Sequence, residues 1–548
     1  MRHRRFLASS AVLLATLSPS LEAQRAERRP PPAAFEAFAG GELEGYLRAL
    51  QNRGRIGPHP WSVRAFSPGE VRTLALADSL HPWGERYPLR PPAGRVEAGF
   101  LRPRAELLYN SGFPHGGNDG PLWAGRGLTS SVRLGAFARW GPLSLVLAPT
   151  AFRAENRSFA LARAGSGDPG VYLSPLAPGS IDLPQRFGPD PYARVDPGNS
   201  TLRLDVSGLS LGVSTAAQQW GPMGLHPLVL GPNAGGFPHL FLGTSRPLNL
   251  WIGKLHGRFA AGRLEQSPWS PVSRGEPRRL MTGFVATFTP RGVSGLEVGA
   301  TRFFHNRWPA DGVELDDLWQ PFEAFFKRSI PDADTRAAEN QLASLFVRWN
   351  VPGAGFEIFG EFVREDHATD LRVLVMEPDD LSGYALGVRR VWGWTEASGP
   401  RLHVLRAEVL STISSHRARI GSRGGEFSGF PLYVHTGVNQ GHTHRGQLLA
   451  SPAGAAGTAL TVGVDHYHPR GRWTVELDRT VERDRTTGRV EPGAADADVR
   501  YTFRGEALRF TGPLELSVGV AGVYNLNRYL QDDAFNLNLR LGATASLW

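Results

Sequence analysis

From about residue 96 to the C-terminus, apolar and polar residues alternate with a period of two. This is the pattern of strands with one apolar face. Across residues 128–140 the even positions read Leu, Ser, Val, Leu, Ala, Ala, Trp, and the odd ones Thr, Ser, Arg, Gly, Phe, Arg. Phe356, Ile358 and Phe362 alternate with Glu357 and Glu361, and Trp473, Val475 and Leu477 with Thr474, Glu476 and Asp478. Val499, Tyr501 and Phe503 alternate with Arg500, Thr502 and Arg504. Near the end, Phe535, Leu537, Leu539 and Leu541 alternate with Asn536, Asn538 and Arg540.

A soluble sandwich or propeller alternates in the same way, so the connections have to decide. Compact turns are expected at Trp140-Gly141-Pro142, Ser207-Gly208, Pro290 to Gly295, Val351 to Gly355, Glu396 to Pro400, His468 to Gly471 and Thr511 to Pro513. A weaker eighth turn is expected at His256-Gly257. Between them lie long irregular stretches: Arg153 to Ser200, Gln218 to Arg246, His305 to Gln341 and Thr412 to Thr458. Short turns at one end and long loops at the other mark a transmembrane β-barrel. Eight short turns between two termini on the same side imply nine long loops and about 18 antiparallel strands, in the 453 residues from 96 to 548. The chain ends in the aromatic Trp548, the kind of terminus that barrel-assembly machinery reads, although Leu547 and not Trp548 is in phase with Leu541.

Before the barrel the period is helical. Leu43, Tyr46, Leu47 and Leu50 fall at i, i+3, i+4, i+7. Ser67-Pro68-Gly69-Glu70 is a capping box with proline at the first helical position. Residues 24–95 are therefore expected to form a small periplasmic helical segment and 96–548 an outer-membrane barrel. Residues 1–23 read as a signal peptide: Arg2, Arg4 and Arg5, an apolar run from Phe6 to Leu17, then Leu21-Glu22-Ala23.

Composition narrows the function. The 548 residues contain no cysteine, which removes disulfides, thiolate metal sites and cysteine catalysis. Net charge is +9, but only Lys254 and Lys327 are lysines, and the arginines are scattered among 51 acidic residues. Nucleic-acid binders gather their charge on one stripe, so no nucleic-acid partner is expected. The preference for arginine is attributed to genomic base composition.

Enzymatic motifs fail. Gly208-Leu209-Ser210-Leu211-Gly212 matches a nucleophile elbow, but that motif needs a strand, a sharp turn and a helix, and here a hairpin leads into a strand. Asp465, His466 and His468, and separately His442 and His444, lack a third ligand at evident spacing and read as surface histidines near a loop. No catalytic residues, metal or cofactor are expected.

The segment from Gln218 to Arg246 (QQWGPMGLHPLVLGPNAGGFPHLFLGTSR) is too apolar for a loop in free solvent. It is expected to fold inward and block the lumen. Trp220, His226, Asn233, Phe237 and His239 offer aromatic faces beside hydrogen-bonding groups, a mixture suited to sugar rings. A packing plug alone and a plug that also holds a ligand both remain open.

This segment resembles the capsule-assembly Wzi family of outer-membrane proteins. The resemblance rests on Trp220-Gly221-Pro222, Leu228-Val229-Leu230, Asn233-Ala234 and Pro238, and further on Gly45 to Trp61, Phe356 to Asp366 and Gly441 to Ala455. The chain departs from the family pattern at His442 and His444, where aromatics are usual, and at Gln219-Trp220. The resemblance implies an 18-stranded barrel with a periplasmic helical element. It also implies a lectin-like role, binding exported capsular polysaccharide and holding it on the cell surface.

The expected polysaccharide site is Trp220, His226, Asn233 and His239 on one loop and His442, His444 and Arg445 on another, at the extracellular mouth. Expected partners are capsular or other surface polysaccharide, outer-membrane lipid and the barrel-assembly machinery. A porin or hydrophobic-substrate transporter is the alternative, separated by whether the lumen is open.

Overall fold

The computed structural model describes residues 33–74, 82–84, 86–87, 94–162, 170–175, 177, 179–272, 277–323, 339–366, 370–396, 399–413, 432–435, 437–455, 457–484 and 497–546. The signal segment and Trp548 lie outside these residues. The barrel strands pair antiparallel around a closed ring. The seam joins the first and last strands, with Asn110 opposite Asn538 and Arg104 opposite Thr544. Inside the seam, the Asn536 and Asn538 side-chain amides both donate to Asn110 Oδ1 at 2.9 and 2.8 Å. Closure joins the first strand to the last, so the ring has no free edge strand.

The barrel is inside out relative to a soluble protein. Along Leu514–Leu526, the side chains of Leu514, Leu516, Val518 and Val520 are exposed while Glu515 is buried. The exposed face is the lipid face. Among the described residues no helix is long and apolar enough to cross a membrane.

Several strands are interrupted. Val96–Phe100 and Arg104–Asn110, Thr150–Ala154 and Leu143–Leu147, Tyr192–Asp196 and Thr201–Val206, and His239–Thr244 and Leu248–Leu250 are each separated by a break containing a proline. Pro103, Pro149, Pro197 and Pro247 cannot donate to the ladder, which explains the positions of these breaks. Gly127–Arg133 and Ala136–Trp140 break instead at Gly135, where an added Cβ would lie 2.4 Å from the Leu147 carbonyl oxygen.

Seven of the expected turns join consecutive strands where the spacing places them. The eighth does not. His256 and Gly257 lie within the strand Gly253–Glu265, and the turn is at Trp251-Ile252. Gly257 is there for packing: a Cβ would come 2.9 Å from the Val285 carbonyl oxygen. The 218–246 segment is also shorter as a loop than expected, because His239–Thr244 is a wall strand paired on both sides.

Helix α1 (Glu42–Asn52) and helix α2 (Pro68–Leu74) sit inside the barrel at its short-turn end. In α2 the Ser67 amide donates to Glu70 Oε2 at 2.7 Å and the Glu70 amide to Ser67 Oγ at 3.1 Å, completing the capping box. In α1 the apolar face (Leu43, Tyr46, Leu47, Leu50) packs with Trp83 and Tyr467. Its polar face is buried as well, because the wall surrounds it: Arg48, Gln51 and Asn52 all contact lumen groups.

The lipid face makes substitution costs depend on depth. Val520→Arg, at the middle of its strand, is expected to destabilise by ~2–4 kcal/mol, whereas Leu514→Arg beside the short turn should cost only ~0–1 kcal/mol. Reversible denaturant unfolding in lipid vesicles measures both. Equal costs at the two positions would contradict a membrane-spanning assignment of this strand.

Candidate functional site

The strand Phe356–Glu365 carries three inward carboxylates, each meeting a different part of the lumen filling. Glu357 accepts from Arg48 Nε at 3.2 Å and Asn52 Nδ2 at 2.8 Å on α1, and pairs with Arg348 on the wall. Glu361 accepts from Ser344 Oγ at 2.8 Å and lies against Gly221. Gly221 has φ +85°, and a Cβ there would sit 2.6 Å from the Glu361 carboxylate, so both backbone and space demand glycine. Glu365 accepts from Asn340 Nδ2 at 2.7 Å and the Tyr433 amide at 2.6 Å.

Other wall groups grip the apolar loop directly. Glu408 accepts three successive backbone amides, from Gly224, Leu225 and His226, at 3.0, 2.8 and 3.1 Å. Val63-Arg64 and Gln219-Trp220 form a two-residue antiparallel pair, so the N-terminal element and the loop are continuous. Arg64 Nη2 donates to the Gly221 carbonyl at 3.0 Å and the Met223 carbonyl at 2.6 Å. Met223, Leu228, Val229, Leu230 and Phe237 join wall residues such as Phe303 and Phe346 in one buried apolar cluster. These groups fill much of the lumen, leaving a cavity of ≈330 Å³ against the wall beside Glu106, Arg133, Glu506 and Arg540.

The seven candidate residues fall into two groups. Trp220 is fully buried, its ring edge-on to Phe303 at 6.1 Å. His226 is buried between Ser451 Oγ and Thr461 Oγ1, at 2.9 Å from each. His239 is buried in its wall strand beside Phe237 and Phe241. His442 and His444 are buried too, at 0% and 2% exposure, which corrects their reading as surface histidines. They belong to a small hairpin folded over the loop, Thr443 and His444 pairing with Leu448 and Gln447. Asp465 and His466, also expected at a surface, lie buried on the wall strand Thr458–His468, Asp465 between Arg406 and Arg472. Asn233 and Arg445 are the less buried pair. Arg445 bridges Glu265 and Asp196 at 2.8 and 2.9 Å, and Asn233 borders a cavity.

Burial keeps these imidazoles neutral, and their hydrogen bonds orient them. His442 Nε2 donates to the Val229 carbonyl at 2.6 Å, and His444 Nδ1 accepts from the Glu265 amide at 3.1 Å. Burial lowers the His442 pKa from 6.5 to about 3. Burial, with Arg445 nearby, holds His444 well below its ordinary value, and burial also lowers His226.

The cavity beside Asn233 opens among the long loops and has a volume of ≈280 Å³. Trp123, Gln447, Arg500, Arg528 and Tyr529 line it with Asn233. Asn233 forms part of its floor, accepting from the Asn118 amide and donating to the Leu448 carbonyl at 2.9 Å. Trp123 packs on Phe187 at 4.6 Å and donates to Asn156 Oδ1. Arg528 lies 4.0 Å over the Tyr529 ring. Trp123, Arg528 and Tyr529 were not singled out from sequence; they sit in loops with no periodic pattern.

The model of the capsule assembly protein Wzi family matches residues 125–532, most of the barrel. The chain belongs to this family. Among solved structures it is similar to Escherichia coli Wzi, described as an outer membrane protein involved in group 1 capsule assembly and a carbohydrate binding β-barrel. The identity is 16%, covering 93% of this chain and 99% of that one, with a TM-score of 0.61. Similarity also extends to Pseudomonas aeruginosa OccK2 (12% identity, 83% and 98% coverage, TM-score 0.39) and to a BenF-like porin from Pseudomonas fluorescens Pf-5 (11%, 82% and 99%, TM-score 0.39). Comparison with curated proteins finds no match. As a Wzi-family barrel, the protein is an outer-membrane protein whose lumen is filled by its own helices and loops.

Two predictions test this filling. Planar-bilayer conductance of the intact protein should be low. Removing Gly224 to Gly243 would take out most of the wall strand His239–Thr244 as well. Replacing residues 222–236 with a short glycine-serine linker is the cleaner variant, and conductance should then rise; a large stable current before replacement would contradict a filled lumen. The second test is acid. A histidine held neutral contributes stability that is complete above its unfolded pKa of about 6.5 and is lost as pH falls from there toward its folded value. His442 alone should cost about 2 kcal/mol by pH 5. Between pH 6.5 and 5 the melting temperature of the parent should therefore fall relative to that of His442→Gln; parallel pH profiles for the two proteins would contradict a buried neutral His442.

Proposed function

We propose that this protein is a non-enzymatic, lectin-like barrel that binds exported capsular or related surface polysaccharide at its long-loop mouth. One observation carries the reading. The lumen is packed with α1, α2 and the apolar loop, so a polymer meets the barrel at the mouth, where the cavity around Asn233 offers aromatic, amide and guanidinium groups together. Sugars present C–H faces to aromatics, hydroxyls to amides and, when acidic, carboxylates to arginine. The likeness to Escherichia coli Wzi, described as carbohydrate binding, supports the same reading. Lumen filling argues against the porin alternative.

On this reading the mouth faces outward and the short turns with α1 and α2 face the periplasm. Residues 1–23 are the export signal, and 24–95 the periplasmic helical segment preceding the barrel of 96–548. Counting each interrupted strand once supports 18 spanning strands. Barrel-assembly machinery and outer-membrane lipid are the partners this architecture requires. Of the residues expected from sequence, Asn233 lines this cavity, and Arg445 adjoins its lining residues Gly446 and Gln447. Trp220, His226, His239, His442 and His444 act from behind, holding the floor of the site in position.

Trp123→Ala and Tyr529→Ala should each weaken binding of a purified capsule fragment roughly tenfold, about 1.4 kcal/mol. Trp220→Ala should instead lower the melting temperature, because removing a buried indole costs ~3–5 kcal/mol. Titration alongside melting curves separates the two. Unchanged affinity in folded Trp123→Ala and Tyr529→Ala proteins would remove this cavity from the binding site.

A further inference from the structure

At the short-turn end, three buried side chains from three separate elements converge. His59 lies in the connection between α1 and α2, Glu70 in the first turn of α2, and His256 points inward from the wall strand Gly253–Glu265. His256 Nε2 is 3.1 Å and His59 Nε2 3.5 Å from the same oxygen, Glu70 Oε1. The ligand atoms of all three lie within 4.8 Å of one another. Apart from these contacts with one another, none of the three facing atoms has a hydrogen-bond partner, although all three residues are more than nine-tenths buried. Two imidazole nitrogens aimed at one carboxylate oxygen, with nothing else to satisfy them, is an arrangement that a cation resolves.

We propose that His59, Glu70 and His256 form a divalent transition-metal site of the zinc class, clipping the N-terminal helices to the inner wall of the barrel. Metal–nitrogen and metal–oxygen bonds of ~2.0–2.1 Å in a tetrahedron put neighbouring ligand atoms ~3.3–3.4 Å apart. The observed 3.1 and 3.5 Å bracket that edge. Two imidazoles and one carboxylate suit zinc, whereas calcium and magnesium need more oxygen ligands.

The surroundings supply the outer shell. Glu70 Oε2 is already held by the Ser67 amide at 2.7 Å, which leaves Oε1 as a single ligand atom. His256 Nδ1 is hydrogen-bonded with Thr244 Oγ1 at 2.6 Å, fixing the ring so that Nε2 faces the site. Arg203, the nearest cation, approaches the other carboxylate oxygen at 3.9 Å and is itself paired with Asp205. A cavity of ≈540 Å³ at the short turns, bordered by His59 and Lys254, gives an ion and its water a route in.

The test uses the full mature chain, free of any histidine tag, in detergent. Zn²⁺ titration by calorimetry should give one site per chain, and Co²⁺ should give the intense visible bands of tetrahedral coordination. His256→Gln and His59→Gln should each abolish that site, and Thr244→Val should weaken it ~10–100-fold. Zn²⁺ should raise the melting temperature of the parent and not of His256→Gln, while Mg²⁺ should raise neither. Heat-modifiable migration verifies that each variant is still a folded barrel, and the two histidines lie on different elements, so a folding failure in one leaves the other informative. No stoichiometric Zn²⁺ binding, or binding retained in either folded histidine variant through another pair such as His403 and His466, would overturn the proposal.

Discussion

The structure depends on the need to satisfy carboxylates that are buried against the lumen filling. Glu297, Glu357, Glu361, Glu365 and Glu408 all point inward and are buried. A buried carboxylate without partners costs several kcal/mol, and removing one partner of a buried pair costs about as much. Four of them take their partners from different pieces of filling, while Glu361 meets Ser344 on the wall and the apolar loop at Gly221. Glu297 receives the Trp61 and Ser62 amides, Glu357 takes α1, Glu408 takes the apolar loop and Glu365 takes the Tyr433 segment. The wall is complete electrostatically only when the lumen is full.

That constraint moves function away from the bore. A porin keeps its inner wall solvated and its loops sparse. Here the wall's charges are consumed in holding the protein's own chain, and the apolar run Leu228–Leu230 occupies the axis. What is left for a ligand is the outer surface of the plug, where the chain returns through Asn233 and the hairpin at Thr443 to Leu448. The same residues that seal the barrel shape its mouth. A change deep in the plug therefore reaches the mouth through packing.

Much of this fold was legible from sequence because a lipid-facing strand face is strictly apolar, giving a clear period of two. The capping box before α2 was legible for an equally local reason: Ser67 and Glu70 meet three residues apart whatever surrounds them. What was hidden is what fills the lumen. Inward residues are polar whether they face water or a plug, so His442, His444 and His466 read as surface histidines although they are buried. The turn at Trp251-Ile252 carries neither glycine nor proline, while nearby Gly257 is a packing glycine inside a strand. Composition pointed to the wrong one of the two.

The arginine excess also has a structural reason, beyond base composition, at identifiable positions. The loops of the plug have no regular secondary structure and leave carbonyls facing inward, away from water. A guanidinium presents several donors in a planar fork and stays charged, whereas an ammonium is a compact, strongly hydrated point charge. Arg279 reaches both the Gly441 and Thr443 carbonyls at 2.5 Å, and Arg186 the Asn156 and Pro189 carbonyls at 2.6 and 2.8 Å. Arg64 holds Glu44 on α1 at 3.0 Å together with the Gly221 and Met223 carbonyls, joining helix to loop through one side chain. Lysine at these positions would keep the charge but lose the fork, leaving carbonyls unsatisfied in a dry interior. At these positions arginine binds the protein to itself.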